Sequence, residues 1–373
     1  MNTTVTNDMF EYADDLGPSK IIHMFDPLNG LKAILVVDNV AAGPAIGGVR
    51  MATNVTTDEC VRLARAMTLK NAMAGLAHGG GKAVIKADPN MPAEAKGNLI
   101  RAFAQAINQI EDYIPGPDMG TNEISMAITR NITGRAVGLP REVGGIPLDE
   151  IGATGYGLRI ALEASQAFTD FRLDGARIII EGFGSVGQHA AHFLSEQGAL
   201  LVGVADSGGV RLCPNGFDLP KLLAFKRGGH SVFDFDGGER ATTQAMIAAE
   251  CDVWIPAARP DVIHEGNVDD FNTKIIAQGA NIPATEAAER RLAERGILVI
   301  PDFVANAGGV ICAAVEYHQG SETQAMASIA EKIHVNVIET LTRSSNSGQL
   351  PREAALEIAA ERVRQAMGYL VRF

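Results

Sequence analysis

The chain has 373 residues and a formal net charge of −12, enough length for two domains with substantial cores. That acidic balance argues against nucleic acid or an anionic membrane surface as a partner. No apolar run is long enough to span a bilayer, and residues 1–15 carry acids without an apolar stretch, so neither a membrane span nor a signal peptide is expected.

The first 140 residues or so mix strands and helices. Residues 31–37 and 48–52 read as strands. Residues 57–74 read as a long helix, capped by Thr56 or Thr57, with Asp58 and Glu59 in its first turn. His78-Gly79-Gly80-Gly81-Lys82 then leads into an apolar strand at 83–85. A second helix is expected at about 92–110, and a third after Gly120-Thr121. The cluster Gly144-Gly145-Ile146-Pro147 reads as a hinge.

From Thr154 the pattern is regular α/β. A strand at 176–182 runs into Gly182-Phe183-Gly184-Ser185-Val186-Gly187, followed by an amphipathic helix at 186–197. A further apolar run at 200–204 ends at Asp206. This is a complete βαβ unit of a dinucleotide-binding domain. Gly182 serves the tight turn, Gly184 the approach of a pyrophosphate, and Gly187 the close packing of helix on strand. The helix start at Ser185 and Val186 offers free N–H groups to phosphate. Asp206 can accept the adenosine ribose hydroxyls and would repel a 2′-phosphate, which points to NAD, with NADP possible because Ser207 and Arg211 lie nearby. Later strands are expected at 252–255, 274–278 and 297–300, and helices from 321 to the end, broken near Ser345-Gly348.

Lys82 stands at the entry of a buried strand, where lysine is unusual without a partner. Lys70 lies one turn after Met67, on the same helical face. Two lysines converging on one cleft would depress the pKa of at least one, giving a base near neutral pH. Taken alone, Lys82 reads equally as a surface lysine after a glycine turn, and Asp118 in Pro117-Asp118-Met119-Gly120-Thr121 as a turn or N-cap residue. The His78-Gly-Gly-Gly run lacks the G-x-S-x-G elbow that an esterase would need. The four cysteines, Cys60, Cys213, Cys251 and Cys312, show no CxxC spacing, and the eight histidines no HExxH pair. His189 and His192 share a helix but are assigned a structural role. No metal is expected, and reduced thiols point to the cytoplasm.

Taken together, these motifs resemble the glutamate/leucine/phenylalanine/valine dehydrogenases over nearly the whole chain. The carriers are Gly43-Pro-Ala-Ile-Gly47-Gly48, Met67-Thr-Leu-Lys70-Asn71, Gly79-Gly-Gly-Lys82, Pro117-Asp118-Met-Gly-Thr121 and Ala153-Thr154-Gly-Tyr-Gly157. The Gly182 fingerprint, Gln278-Gly-Ala-Asn281 and Asn306-Ala-Gly-Gly-Val310 complete the set. The resemblance implies an α/β chain of two domains with a cleft between them. One is an N-terminal substrate and oligomerisation domain, residues 1–143 with a returning C-terminal helix at about 345–373. The other is a Rossmann-like, doubly wound dinucleotide-binding domain, residues 144–344. It also implies a homo-oligomer built through the N-terminal domain, acting on an amino acid and its 2-oxo acid by reversible oxidative deamination.

Residue by residue, the resemblance implies that Lys70 binds the substrate α-carboxylate and that Lys82 is the catalytic lysine. Asp118 would move protons at the amino nitrogen. Gly48 and Met67 would line the substrate, and Asn306 would orient it. Thr154 and Asn281 would hold the nicotinamide carboxamide and ribose, with Ala257 also against the dinucleotide.

Glutamate-using relatives carry a lysine where this chain has Ile46, and a serine where it has Ala313. A γ-carboxylate left unpaired there would cost on the order of a thousandfold in selectivity. The expected substrate is therefore an apolar L-amino acid of the leucine, valine or phenylalanine type. Glutamate is the alternative, with Arg50 as a replacement cation. A catalytically silent dinucleotide-binding paralogue is a further alternative, opposed by the joint presence of Lys70, Lys82 and Asp118.

Overall fold

The computed structural model describes residues 9–370; the first eight residues of the acidic N-terminal segment lie outside them. The chain forms two compact units. One comprises the chain through Pro147, then Ala313–Ser321, and the chain from Ile358 on. The other comprises Leu148–Cys312 and Glu322–Glu357. This corrects two expected boundaries. The C-terminal return begins at Ile358 rather than at about 345, and a short earlier return, Ala313–Ser321, was not foreseen. The Ser345-Gly348 break separates two helices without separating two units. Arg352, just beyond it, is anchored on Glu289 and Gln278 of the second unit.

The first unit contains β1 (Lys20–Asp26), β2 (Leu31–Asn39), β3 (Ala45–Ala52), α1 (Thr57–Met73), β4 (Gly79–Lys86), α2 (Ala93–Ala106), β5 (Tyr113–Pro117) and α3 (Glu123–Thr133). The strands form one mixed sheet in the order β1-β2-β4-β3-β5. β3 lies parallel to both β4 and β5, and β2 antiparallel to β4. β5 was not legible beforehand because its sequence, YIPGP, carries two prolines. It is an edge strand, where a missing N–H is tolerated.

The second unit contains α4 (Ala153–Ser165), β6 (Arg177–Glu181), α5 (Ser185–Ser195), β7 (Leu200–Asp206), β8 (Gly209–Leu212), α6 (Leu219–Arg227), β9 (Glu239–Ala241), α7 (Thr243–Ala248), β10 (Val253–Pro256), β11 (Ile275–Ala277), α8 (Glu286–Glu294), β12 (Leu298–Ile300) and α9 (Asp302–Ala305). Three helices follow: α10 (Gly308–Tyr317), α11 (Glu322–Ser347) and α12 (Pro351–Gly368). α10 and α12 each run from the second unit into the first. The sheet order is β12-β11-β10-β6-β7-β8-β9. Its first five strands are parallel, and Ile178–Ile180 of β6 is fully buried, as befits a strand covered on both faces. β8 and β9 add an antiparallel edge, so the doubly wound sheet is not parallel throughout. Among the described residues no helix is long and apolar enough to cross a membrane.

Candidate active site

In the first unit, three segments remote in sequence converge because glycines let backbones touch. A Cβ at Gly80 on β4 would overlap the backbone nitrogen of Thr68 on α1, and one at Gly47 would overlap the carbonyl of Gly81. The helix carrying Met67 and Lys70 therefore lies directly on the strand carrying Lys82. Asn71, fully buried, locks this arrangement by donating to the carbonyls of Gly79 (2.7 Å) and Ile46 (3.3 Å). We expect Gly80→Ala to cost at least about 2 kcal/mol, since backbone rather than a flexible side chain blocks the methyl. Thermal unfolding of the purified variant checks this; an unchanged Tm would refute it.

Lys82 is buried, and its Nζ donates to Oδ2 of Asp118. Asp118 lies in the turn between β5 and α3. Thr121 shapes this turn: its hydroxyl accepts from the Asp118 N–H (3.0 Å) and donates to the Val49 carbonyl (2.8 Å). Helix α3 is capped by Asn122, which accepts from Ser125 N–H. Asp118 is therefore not the cap, and its carboxylate is free to face the lysine. Gly48 abuts it: a Cβ there would lie 2.8 Å from the Asp118 Cβ. Burial, then the Arg50 guanidinium, and more weakly Lys70, hold the Lys82 ammonium down to about 8. The facing Asp118 carboxylate is the acceptor for that ammonium.

Ile46 on β3 and Ala313 on α10 are buried apolar residues. Arg50 is not a spare cation for a substrate side chain: Nη1 pairs with Glu59 at 2.6 Å, and Nη2 lies 3.6 Å from Asp118. The segment bearing Ala313 is fastened within its unit by Glu316, which accepts from Ile146 N–H (2.8 Å) and Leu139 N–H (3.2 Å). His318 and buried His78 reinforce it, their Nε2 atoms lying 3.0 Å apart.

In the second unit the glycine fingerprint has the form a pyrophosphate needs. A Cβ at Gly187 would overlap the Gly182 carbonyl, whereas one at Gly184 would meet nothing within 4 Å. Gly184 caps α5 without a side-chain acceptor, so the N–H groups from Ser185 and Val186 onward keep their capacity for phosphate oxygens. Ala257 packs between Gly182 and Gly279. Asn306 Nδ2 donates to Asn281 Oδ1 (3.1 Å), and Gly308 packs on the backbone of Ala153 and Thr154. Thr154, Asn281 and Asn306 are thereby drawn together. These residues fit a bound dinucleotide.

Asp206 is more engaged than its position at the strand end suggested. Its Oδ1 accepts from Ser231 Oγ (2.7 Å) and Gly208 N–H (2.9 Å), and its Oδ2 from Lys226 Nζ (2.6 Å) and Val232 N–H (2.8 Å). Although burial alone would raise it, these donors hold its pKa down to about 2. A carboxylate so compensated repels a 2′-phosphate less than a free one. Arg211, in turn, is committed to the carbonyls of Phe233 and Gly238, each at 3.0 Å. Neither Lys226 nor Ser231 was picked out from the sequence; both lie beyond the βαβ unit and reach Asp206 only through the fold.

A sheet ending in this fingerprint, together with a buried lysine–aspartate pair, defines a dinucleotide-dependent oxidoreductase. Residues 144–369 match the model of the Glutamate/Leucine/Phenylalanine/Valine dehydrogenase family, and residues 18–134 match its dimerisation domain. The chain belongs to this family and is an NAD(P)-dependent amino acid dehydrogenase acting on the CH–NH2 group. It is 36% identical over 351 residues to an NADP-specific glutamate dehydrogenase of Saccharolobus shibatae, covering 88% of this chain and 82% of that one. It is 33% identical over 351 residues to an NAD-specific glutamate dehydrogenase of Staphylococcus aureus, covering 89% and 84%. A hetero-hexameric glutamate dehydrogenase of Thermus thermophilus, solved in a leucine-bound form, superposes with a TM-score of 0.82 at 26% identity, covering 95% of this chain and 91% of that one.

Proposed function

We propose that the chain catalyses reversible oxidative deamination of an L-amino acid with an apolar side chain, with Lys82 and Asp118 as its proton-transfer groups. The observation carrying this reading is the buried Lys82–Asp118 pair, with the Lys82 ammonium held down to about 8. Lys70 offers a compact positive charge to the substrate α-carboxylate. Lys82 as the neutral amine takes a proton from the attacking water, and as the ammonium it faces the developing carbinolamine oxygen. Asp118 exchanges a proton with the amino nitrogen. When bound, the dinucleotide supplies the hydride acceptor, held through Gly182, Gly184 and Gly187 with Thr154 and Asn281 toward its nicotinamide end. Asn306 orients the substrate.

Two observations pull the substrate assignment apart. The curated relatives named above are glutamate dehydrogenases, and overall likeness favours glutamate over an apolar substrate. The side chains at the discriminating positions favour the reverse. Ile46 and Ala313 are apolar, and Arg50 is committed to Glu59 and Asp118. Specificity resides in the site rather than the scaffold, and this supports the apolar reading. A panel of L-amino acids assayed with NAD and with NADP, followed by absorbance of the reduced dinucleotide, decides between them. We expect leucine, valine or phenylalanine to exceed glutamate in kcat/KM, and Ile46→Lys with Ala313→Ser to shift the ratio toward glutamate. Wild-type preference for glutamate would overturn the apolar reading and leave the deamination reading intact. We further infer cytoplasmic residence, use of both dinucleotides through the compensated Asp206, and self-association through the first unit. The family's name for residues 18–134 supports the last of these.

A further inference from the structure

Asp118 has a second cation, on the oxygen that Lys82 does not use. Lys82 approaches Oδ2, while Arg50 Nη2 stands 3.6 Å from Oδ1. Oδ1 also accepts from the Met119 N–H at 2.6 Å, so the carboxylate plane is defined from both sides. Arg50 is itself fixed by Glu59, in the first turn of α1, at 2.6 Å. Its Nε is buried without a hydrogen-bond partner, so the Glu59 and Asp118 contacts orient the guanidinium. A planar guanidinium can span two carboxylates in a way an ammonium cannot.

We propose that Arg50, held by Glu59, is a positioning residue that aims the Asp118 carboxylate at Lys82 and, with Glu59, sets the charge balance around that lysine. The proposal rests on the assignment of Lys82 and Asp118 as the proton-transfer pair. Five charged or titratable groups act on Lys82: Asp118 from the β5–α3 turn, Arg50 from β3, and Glu59, Cys60 and Lys70 from α1. On neighbouring β2, Asp38 is committed to Arg65 (2.8 Å) and Thr68 (2.6 Å). Within this set Arg50 disfavours the ammonium form of Lys82 and Glu59 favours it. Removing one or the other must therefore move the titration of Lys82 in opposite directions.

The test compares wild type with Arg50→Gln, Arg50→Lys and Glu59→Gln, using the best amino acid of the panel and measuring kcat and KM across pH. We expect Arg50→Gln to lower kcat roughly tenfold or more, to leave the amino acid KM within about twofold, and to move the ascending limb of the profile up by about half a pH unit or more. Glu59→Gln should move the limb down. Arg50→Lys keeps the charge but not the planar fork, so its limb should stay near the wild-type position while kcat recovers only in part. Shifts of the same sign in Arg50→Gln and Glu59→Gln, or no shift, would overturn the proposal. So would a large rise in KM at constant kcat, which would make Arg50 a substrate ligand. If wild type turns over no amino acid, the functional reading itself fails. The positioning proposal is then read separately from the pH dependence of trace acetylation at Lys82, mapped by mass spectrometry. Opposite displacements in the two variants support it, and identical curves overturn it.

Discussion

Lys82→Ala is expected to lower kcat for oxidative deamination by at least about a hundredfold, the usual scale for losing a general base that also stabilises an oxyanion. The dinucleotide should still bind, because Gly182, Gly184 and Gly187 belong to the second unit and do not touch Lys82. Wild-type deamination should rise with pH through about 8, where the Lys82 ammonium gives way to the amine that can accept a proton. The variant should lose that limb along with the rate. Steady-state kinetics across pH, beside a fluorescence titration with the reduced dinucleotide, measures both effects. Activity near wild type, or an unaltered pH profile on the residual rate, would remove Lys82 from the chemistry.

The largest expected effect on stability lies in the second unit, at Arg352. This residue sits in the first turn of α12 and donates to Glu289 (2.8 Å) and Gln278 (2.7 Å), and it pairs with Asp302 at 2.8 Å. Glu289, Asp302 and Gln278 are all buried. Removing the guanidinium would strand two carboxylates away from water. Breaking a buried ion network from one side typically costs about 3–5 kcal/mol. Arg352→Met should therefore unfold at a markedly lower denaturant concentration. Adding Glu289→Gln should restore part of the loss, since one of the stranded charges is then gone. Function should suffer as well. Gln278 opens the loop that ends at Asn281, and Asp302 accepts from Ile282 N–H and begins the turn that leads to Asn306. An Arg352→Met protein as stable as wild type, or a double variant less stable than the single one, would refute the stranded-charge account.

These two residues mark where sequence reading reached and where it stopped. Lys82 was accessible because its signal is local: a triple glycine, a lysine and a buried strand follow one another. The glycine fingerprint was accessible for the same reason. Arg352 gave no such signal, since its partners lie 50 or more residues away and no periodicity links them. Glu59 was noted only as an acid in a first helical turn, yet its side chain holds Arg50. Asp206 was found, but its donors Lys226 and Ser231 arrive from a helix and a loop beyond the recognised unit. Strand β5 was hidden by its prolines, and β8 and β9 by their shortness. The unit boundary inside α12 was invisible because the helix runs through it without a break.

That boundary bears on how the protein is made. A ribosome that has delivered Pro147 has delivered every strand of the first sheet but not the whole first unit. Arg362, which donates to the carbonyls of Ala72 (3.1 Å) and Met73 (2.7 Å) at the end of α1, is still far from synthesis. So is Glu316, the acceptor for Ile146 and Leu139 N–H. The carbonyls of Lys70, Asn71 and Ala72 are met locally by the N–H groups of Ala74, Leu76 and Gly75, but Met73 gains its Arg362 donor only once α12 has been made. The unit that opens with β1 is completed only when α12 has followed, and a nascent chain cut short anywhere before residue 358 carries that unit unfinished.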